Sequence, residues 1–187
     1  MAGAAGTVGA LCARALATDN IELVLVDIDR MMVNRLAEEL GANAHGLDIL
    51  SEASVRQFMR TVDDRPGCGN LLVNAAGAGY VRALGMTRLT TAFAKLVQAA
   101  STTVVNVASA GPQRDPYKHA GSQLAFHRAA ETLAKAVNRP DMQLLTFGIG
   151  DPPHLIVDAL RQWQSLCTSP PQDRWNSSIA LAAGGRQ

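Results

Sequence analysis

Three glycines at regular spacing, Gly3, Gly6 and Gly9, lead directly into Ala10-Leu11-Cys12-Ala13-Arg14-Ala15-Leu16. A glycine turn that opens a helix is suited to hold a pyrophosphate. The glycines allow a tight turn, let the phosphates approach the backbone, and let the helix pack closely on a sheet. Thr7 and Val8 lie between Gly6 and Gly9 and would offer the first N–H groups of that helix. Asp27 follows Gly9 by eighteen positions and closes the apolar run Glu22-Leu23-Val24-Leu25-Val26. An acid at such a strand end hydrogen-bonds the adenosine ribose hydroxyls and repels a 2′-phosphate, which favours NAD over NADP. Glycines, helix, apolar strand and terminal acid occur here in the required order. The competing reading is a plain strand–helix turn with Asp27 as a solvated strand end. The Gly-x-x-Gly-x-x-Gly spacing departs from Gly-x-Gly-x-x-Gly and leaves the details of the cradle open.

A second group of candidate residues lies later in the chain. Ser109 follows the strand-like Thr103-Val104-Val105-Asn106-Val107, and His119 opens the helical stretch beyond it. Imidazole titrates near neutral pH, so His119 with Ser109 could serve a dehydration, isomerisation or epimerisation. The alternatives are a histidine that simply fills a helix surface or pocket, and an ordinary strand-end serine. Val107-Ala108-Ser109-Ala110-Gly111 lacks the first glycine of a nucleophile elbow, which argues against a serine hydrolase. His45, His127 and His154 show no ligand spacing with the cysteines, so no metal is expected.

These residues need a scaffold, and the pattern supplies one. After the strand ending at Asp27, Arg30–Leu40 reads as a helix with Gly41 at its stop. A short strand near Ala44–Leu47 ends at Asp48, and a helix covers about Ala53–Val62. The strand Leu71-Leu72-Val73 runs into Asn74-Ala75-Ala76-Gly77, and a helix is expected near Thr90–Ala100. The strand ending at Val107 precedes a long helix over about Lys118–Val137. Met142–Phe147 is the next strand, Leu155–Leu166 a helix, and Ile179–Ala182 a last short strand. Apolar strands alternating with helices imply an α/β fold: a Rossmann-type, doubly wound parallel sheet in three layers. One domain is expected from 187 residues. No apolar strand precedes Gly3, so the first strand of such a sheet is expected to be missing and the glycine turn anchored on one side only.

Composition limits the partners. A formal net charge of +1 without a basic stripe argues against nucleic acid or an acidic membrane surface. Hydrophobic residues make up 48% and aromatics 4%, so the core should be aliphatic and the chain soluble. Cys12, Cys68 and Cys167 are odd in number and widely spaced, as free thiols in a reducing, cytoplasmic compartment would be. The N-terminus lacks a basic n-region, so it reads as part of the fold and not as a signal peptide.

The ordered set resembles the short-chain dehydrogenase/reductase family over nearly the whole chain. It comprises the glycine turn, Asp27, Asp48, Asn74-Ala75-Ala76-Gly77, Asn106-Val107-Ala108-Ser109 and a closing Gly184-Gly185. The resemblance implies that Asp48 contacts adenine and that Asn74, Ala75, Ala76 and Gly77 support the central sheet beside the cofactor. It also implies hydride transfer between NAD and a small alcohol or ketone, carried by a Ser, a Tyr and a Lys with an Asn in a proton relay. Ser109 matches the serine. The register set by Ser122 places His119 at the tyrosine and Gln123 at the lysine, and an amide cannot depress a neighbour's pKa as an ammonium does. Tyr117 and Lys118 are adjacent and face different ways, and Arg88 falls at the asparagine. The passage from Gly148 to the helix at Leu155 leaves little room for a substrate lid. A dinucleotide-binding relative without activity, or one that binds a protein partner, is therefore a second expectation. Members commonly pair through the helices flanking Ser109, so a homodimer or homotetramer is expected, with Leu124, Phe126 and Leu133 available on the later helix.

Overall fold

The computed structural model describes residues 1–17, 21–63, 71–77, 79–96, 102–108, 116–137, 139, 141–148 and 153–168. Helices and strands alternate through them. They are α1 (Thr7–Leu16), β1 (Val24–Asp27), α2 (Arg30–Leu40), β2 (Asn43–Gly46), α3 (Glu52–Asp63), β3 (Leu71–Asn74), α4 (Gly79–Leu96), β4 (Thr102–Val107), α5 (Pro116–Val137), β5 (Met142–Phe147) and α6 (Pro153–Thr168). The expected strand at Ile179–Ala182 lies outside the described residues.

All ladders are parallel. β1 pairs with β2, and β3, β4 and β5 pair in that order. Ala2 joins the two groups by bridging Val26 of β1 and Asn74 of β3. Its N–H donates to Val73 O at 2.8 Å, its carbonyl accepts from Ala75 N at 2.9 Å, and Met1 O accepts from Val26 N at 2.8 Å. No full strand precedes α1, as expected, but the expectation that the glycine turn is anchored on one side only is corrected. Met1 and Ala2 fill the centre of the sheet, and the glycine turn is held from both sides. These bonds alternate between the two sides, Ala2 bonding toward β3 and Met1 and Gly3 toward β1, as successive residues of an extended segment do.

Side-chain alternation sends the strands' residues to two cores. Val73, Val105 and Val107 meet Ala13 and Leu16 of α1, Val33 of α2 and Leu160 of α6 on one face. Leu72 and Val104 meet Phe58 of α3 and Leu89 and Phe93 of α4 on the other. Every residue of β4 is buried, as expected for a parallel strand covered on both faces. Local signals set the helix ends: Asp29 Oδ1 caps α2 by accepting from Met32 N at 3.0 Å, and Gly41 ends it in the left-handed region.

Helix α4 departs most from the sequence pattern, beginning at Gly79 where a helix was expected near Thr90. Gly79 and Gly85 weaken the local helix signal. Gly85 is tolerated because a Cβ there would stand 2.4 Å from Ile49 Cδ1, so close packing of α4 on the β2–α3 loop outweighs propensity. On α5, Phe126 and Leu133 are buried in the core with Met86 and Ala108. They are therefore not available for pairing, which corrects that part of the expectation; Leu124 is 60% exposed.

Candidate nucleotide-binding site

The glycine turn is built by two contacts that exclude any side chain. Gly3 has φ +76°, and a Cβ there would lie 2.5 Å from the backbone of Ala75 and Ala76. A Cβ on Gly9 would lie 1.9 Å from Gly3 O, so α1 packs directly on the turn. Gly6 differs, because its added Cβ would meet only Gly3 O at 3.4 Å. Gly6 is the N-cap of α1 and provides no side-chain cap, so the first N–H groups of the helix are left to whatever lies in front of it.

That space is a cavity of about 410 Å³ along the carboxyl edge of the sheet, lined by Gly3, Gly6, Asp27, Asp48, Ala75, Ala76 and Gly77 among others. Asp27 Oδ2 accepts from Ala5 N at 2.9 Å and its Oδ1 from Asp29 N at 3.1 Å. The carboxylate thus fastens the glycine turn to the end of β1, a role that spacing alone did not reveal. Asp48 Oδ1 accepts from Leu50 N at 2.8 Å, and Asp48 N donates to Ser54 Oγ at 3.2 Å, which fixes the β2–α3 loop. Leu47 and Ile49 flank it as apolar wall.

Of the other expected residues, Thr7 is exposed and Val8 packs against the core, and neither lines the cavity. Asn74 is buried beneath the site. Its Nδ2 donates to Asn106 Oδ1 at 3.5 Å, and Thr90 Oγ1 donates to the same oxygen at 3.4 Å. Among the described residues Asn74 Oδ1 and Asn106 Nδ2 have no hydrogen-bond partner, a desolvation cost in the centre of the sheet. Arg88 lies away from this network; its Nη1 donates to Ile49 O and Leu50 O, tying α4 to the loop after β2. Ser109 lies outside the described residues, and His119 stands in the first turns of α5. Gln123 is part-buried on the same helix. β5 ends at Phe147 and α6 begins at Pro153, a short passage.

Sequence reasoning missed Arg82. It is 3% exposed, and its Nε donates to Gly77 O at 3.3 Å. Burial pushes its pKa down from the usual arginine value. With the helix expected to begin only near Thr90, nothing in the sequence marked Arg82 as facing inward. Among the described residues no group of three or more His, Cys, Asp or Glu could hold a metal ion. Nor is any helix there long and apolar enough to cross a membrane.

A parallel sheet wound on both faces, with a glycine turn and a helix N-terminus over its carboxyl edge, defines a Rossmann-type nucleotide-binding fold. The family profile described as enoyl-(acyl carrier protein) reductase matches residues 3–121, and the chain belongs to the short-chain dehydrogenase/reductase family of oxidoreductases. A metagenomic short-chain oxidoreductase in complex with NADP is similar in structure, with TM-score 0.75, 21% identity and coverage of 91% of this chain and 90% of that one. An alcohol dehydrogenase from Thermococcus sibiricus, complexed with 5-hydroxy-NADP, gives TM-score 0.68 at 22% identity over 92% and 90%. A short-chain dehydrogenase/reductase from Burkholderia phymatum, in complex with NAD, gives 0.66 at 23% over 78% of this chain and 62% of that one. No curated protein sequence matches.

Proposed function

We infer that this chain binds a nicotinamide dinucleotide across the carboxyl edge of its sheet, NAD in preference to NADP, and acts as an oxidoreductase on a small alcohol or carbonyl compound. The observation that carries this is the cavity bounded by Gly6, the N-terminus of α1, and the carboxylates of Asp27 and Asp48. Gly6 leaves a place that a Cβ would fill, and the uncapped N–H groups beside it suit a pyrophosphate. Asp27 and Asp29 put negative charge where a 2′-phosphate would lie, which supports NAD. Similar structures hold NADP, 5-hydroxy-NADP or NAD, which supports the cofactor class. When bound, the nicotinamide would donate or accept hydride. Asp27 would take the ribose hydroxyls while still fastening Ala5, since each carboxylate oxygen carries two lone pairs. Asp48 and its apolar neighbours would hold the adenine, and Asn74, Ala75, Ala76 and Gly77 would carry the floor of the site past the sheet's midpoint. Ser109 would orient the substrate oxygen, and His119 would stand where the family keeps its acid.

Gln123 at the lysine register favours a second reading, a relative that binds the dinucleotide but does not turn over. A homodimer through α4 and α5 fits the exposed Tyr80 and Leu84 on α4 and Leu124 on α5. Calorimetric titration with NAD and NADP, repeated on Asp27→Ala, tests the cofactor. Micromolar binding of NAD that weakens in the variant is expected; equal or stronger binding of NADP by the native chain would overturn the preference. A screen of alcohols and carbonyl compounds by absorbance at the reduced nicotinamide band separates the active from the silent reading.

A further inference from the structure

Gly85 and Arg88, three positions apart on one face of α4, meet the same short segment of chain. Arg88 Nη1 donates to Ile49 O at 3.3 Å and to Leu50 O. Gly85 is buried, and a Cβ there would stand 2.4 Å from Ile49 Cδ1. Leu89, beside Arg88, is buried in the same core cluster as Leu47 and Ile49. Leu47, Asp48, Ile49 and Leu50 all line the cavity. Bonds within this loop give it its shape: Leu50 N donates to Asp48 Oδ1 at 2.8 Å, Ser51 N to Asp48 O at 3.2 Å and Asp48 N to Ser54 Oγ at 3.2 Å. Leu47 N, donating to Asp27 O at 2.9 Å, fixes where the loop leaves β2. Beyond Asp48 the segment is seated by α4, through the guanidinium on its carbonyls and the close approach that Gly85 allows.

We propose that Arg88 is a positioning residue for the adenosine end of the cofactor, holding the 47–50 wall of the cavity in place from behind. This deepens the cofactor reading above and rests on it. The register of the sequence put Arg88 at a proton relay, whereas its contacts put it behind the loop that carries Asp48. Hydrogen bonds from a cation to carbonyl oxygens are stronger than those between neutral groups, so one guanidinium can hold two backbone groups firmly. Because it bonds backbone oxygens, the side chains of Ile49 and Leu50 are left to the cavity. A wall that is already ordered spares the nucleotide the cost of ordering it. When only a fraction of molecules has the wall in place, apparent affinity falls by that fraction.

The test uses the whole chain and needs no substrate. Dissociation constants for AMP and for NAD are measured by calorimetry for the native chain, Arg88→Met and Arg88→Lys. Hydrogen exchange across residues 47–54 is followed in parallel by mass spectrometry. Arg88→Met keeps the apolar stem and removes the donors. AMP and NAD should then each bind about tenfold more weakly, as a wall in place about a tenth of the time requires. Exchange should quicken across 47–51 and stay unchanged in α1 and β1. The ammonium of Arg88→Lys has three donors for the two carbonyls, so its loss of affinity should stay within about threefold. Unchanged affinities in folded Arg88→Met, an equal fall in Arg88→Lys, or weaker binding without faster exchange across 47–51 overturns the assignment and leaves the cofactor reading intact. A native chain that binds neither AMP nor NAD overturns the cofactor reading itself, and this inference with it. Should Arg88→Met fail to fold, Gly85→Ala disturbs the same wall by displacing the flexible end of Ile49. AMP affinity should fall there too, and an unchanged value overturns the assignment equally.

Discussion

Gly9 and Gly6 lie on the same turn, and the structure assigns them different work that two alanine substitutions will separate. In Gly9→Ala the new Cβ would stand 1.9 Å from Gly3 O, 2.7 Å from Gly3 C and 3.0 Å from Ala4 Cα. A carbon–oxygen contact settles at about 3.3–3.6 Å, so α1 and the turn must separate by about 1.5 Å. Neither can yield cheaply. Cys12, Ala13 and Leu16 hold α1 in the core, and Gly3 is pinned by its N–H to Val26 O at 2.9 Å and by the Ala75–Ala76 backbone behind it. Since both partners are backbone, the cost should reach about 3–5 kcal/mol, above ordinary overpacking. With a urea slope near 2 kcal/mol/M, the unfolding midpoint should fall by about 1.5–2.5 M. In Gly6→Ala the Cβ meets only Gly3 O at 3.4 Å and φ is −74°, so stability should change by less than about 1 kcal/mol. The methyl would nevertheless stand in front of α1, where the proposed cofactor's phosphates would lie, and NAD affinity should fall at least tenfold, or about 1.4 kcal/mol. Urea denaturation followed by circular dichroism, with calorimetric titration of NAD, reads both effects. An unchanged midpoint in Gly9→Ala would refute the packing account. Undiminished NAD binding by folded Gly6→Ala would refute the phosphate cradle.

Further expectations concern the acid, the pairing face and the thiol. Asp27→Asn should weaken NAD binding and narrow the gap to NADP about tenfold, and should lower stability by about 1–2 kcal/mol, because an amide cannot accept from both Ala5 N and Asp29 N. Competitive titration of the two nucleotides checks it, and an unaltered NAD-to-NADP ratio would remove Asp27 from the site. Leu124→Glu should shift the chain toward monomer in sedimentation equilibrium while leaving its thermal midpoint within a few degrees, since Leu124 is exposed in the single chain. An unchanged oligomer would place the interface elsewhere. Burial pushes the Cys12 thiol up to about 11. The unfolded chain loses that proton at lower pH than the folded one, so stability should be level below about pH 9 and decline between about pH 9 and 11 by up to about 2–3 kcal/mol. In a chain carrying Cys68→Ser and Cys167→Ser, Cys12 should resist a disulfide reagent at pH 8 until denaturant is added; rapid labelling of the native form would contradict its burial.

Much of the scaffold is legible without coordinates because its signals are local. Met142–Phe147 is a short, mainly apolar run bounded by Pro140 and Gly148, and Arg30–Leu40 carries a capping Asp29 before it and Gly41 after it. The register of the glycine turn with Asp27 is readable for the same reason, since helix and strand lengths set where the acid falls. The start of α4 was not legible, because Gly85 is accepted through contact with Ile49, thirty-six residues away in sequence. Nor was the joining of the two ladders, which depends on Ala2 bonding to Val73 and Ala75 far along the chain.

By itself the amino-acid sequence determined the alternation of strands and helices, the family, the glycine turn that opens α1 and the acid that accompanies it. These follow from periodicity, glycine placement and caps, all of which act over a few residues. Only the tertiary structure decided that Met1 and Ala2 bridge the two ladders, that Asp27 braces Ala5, that Phe126 and Leu133 face inward, and that Arg82 is buried beside Gly77. Each of these depends on groups brought together across the sheet, where desolvation and close packing outweigh the preferences of the local sequence.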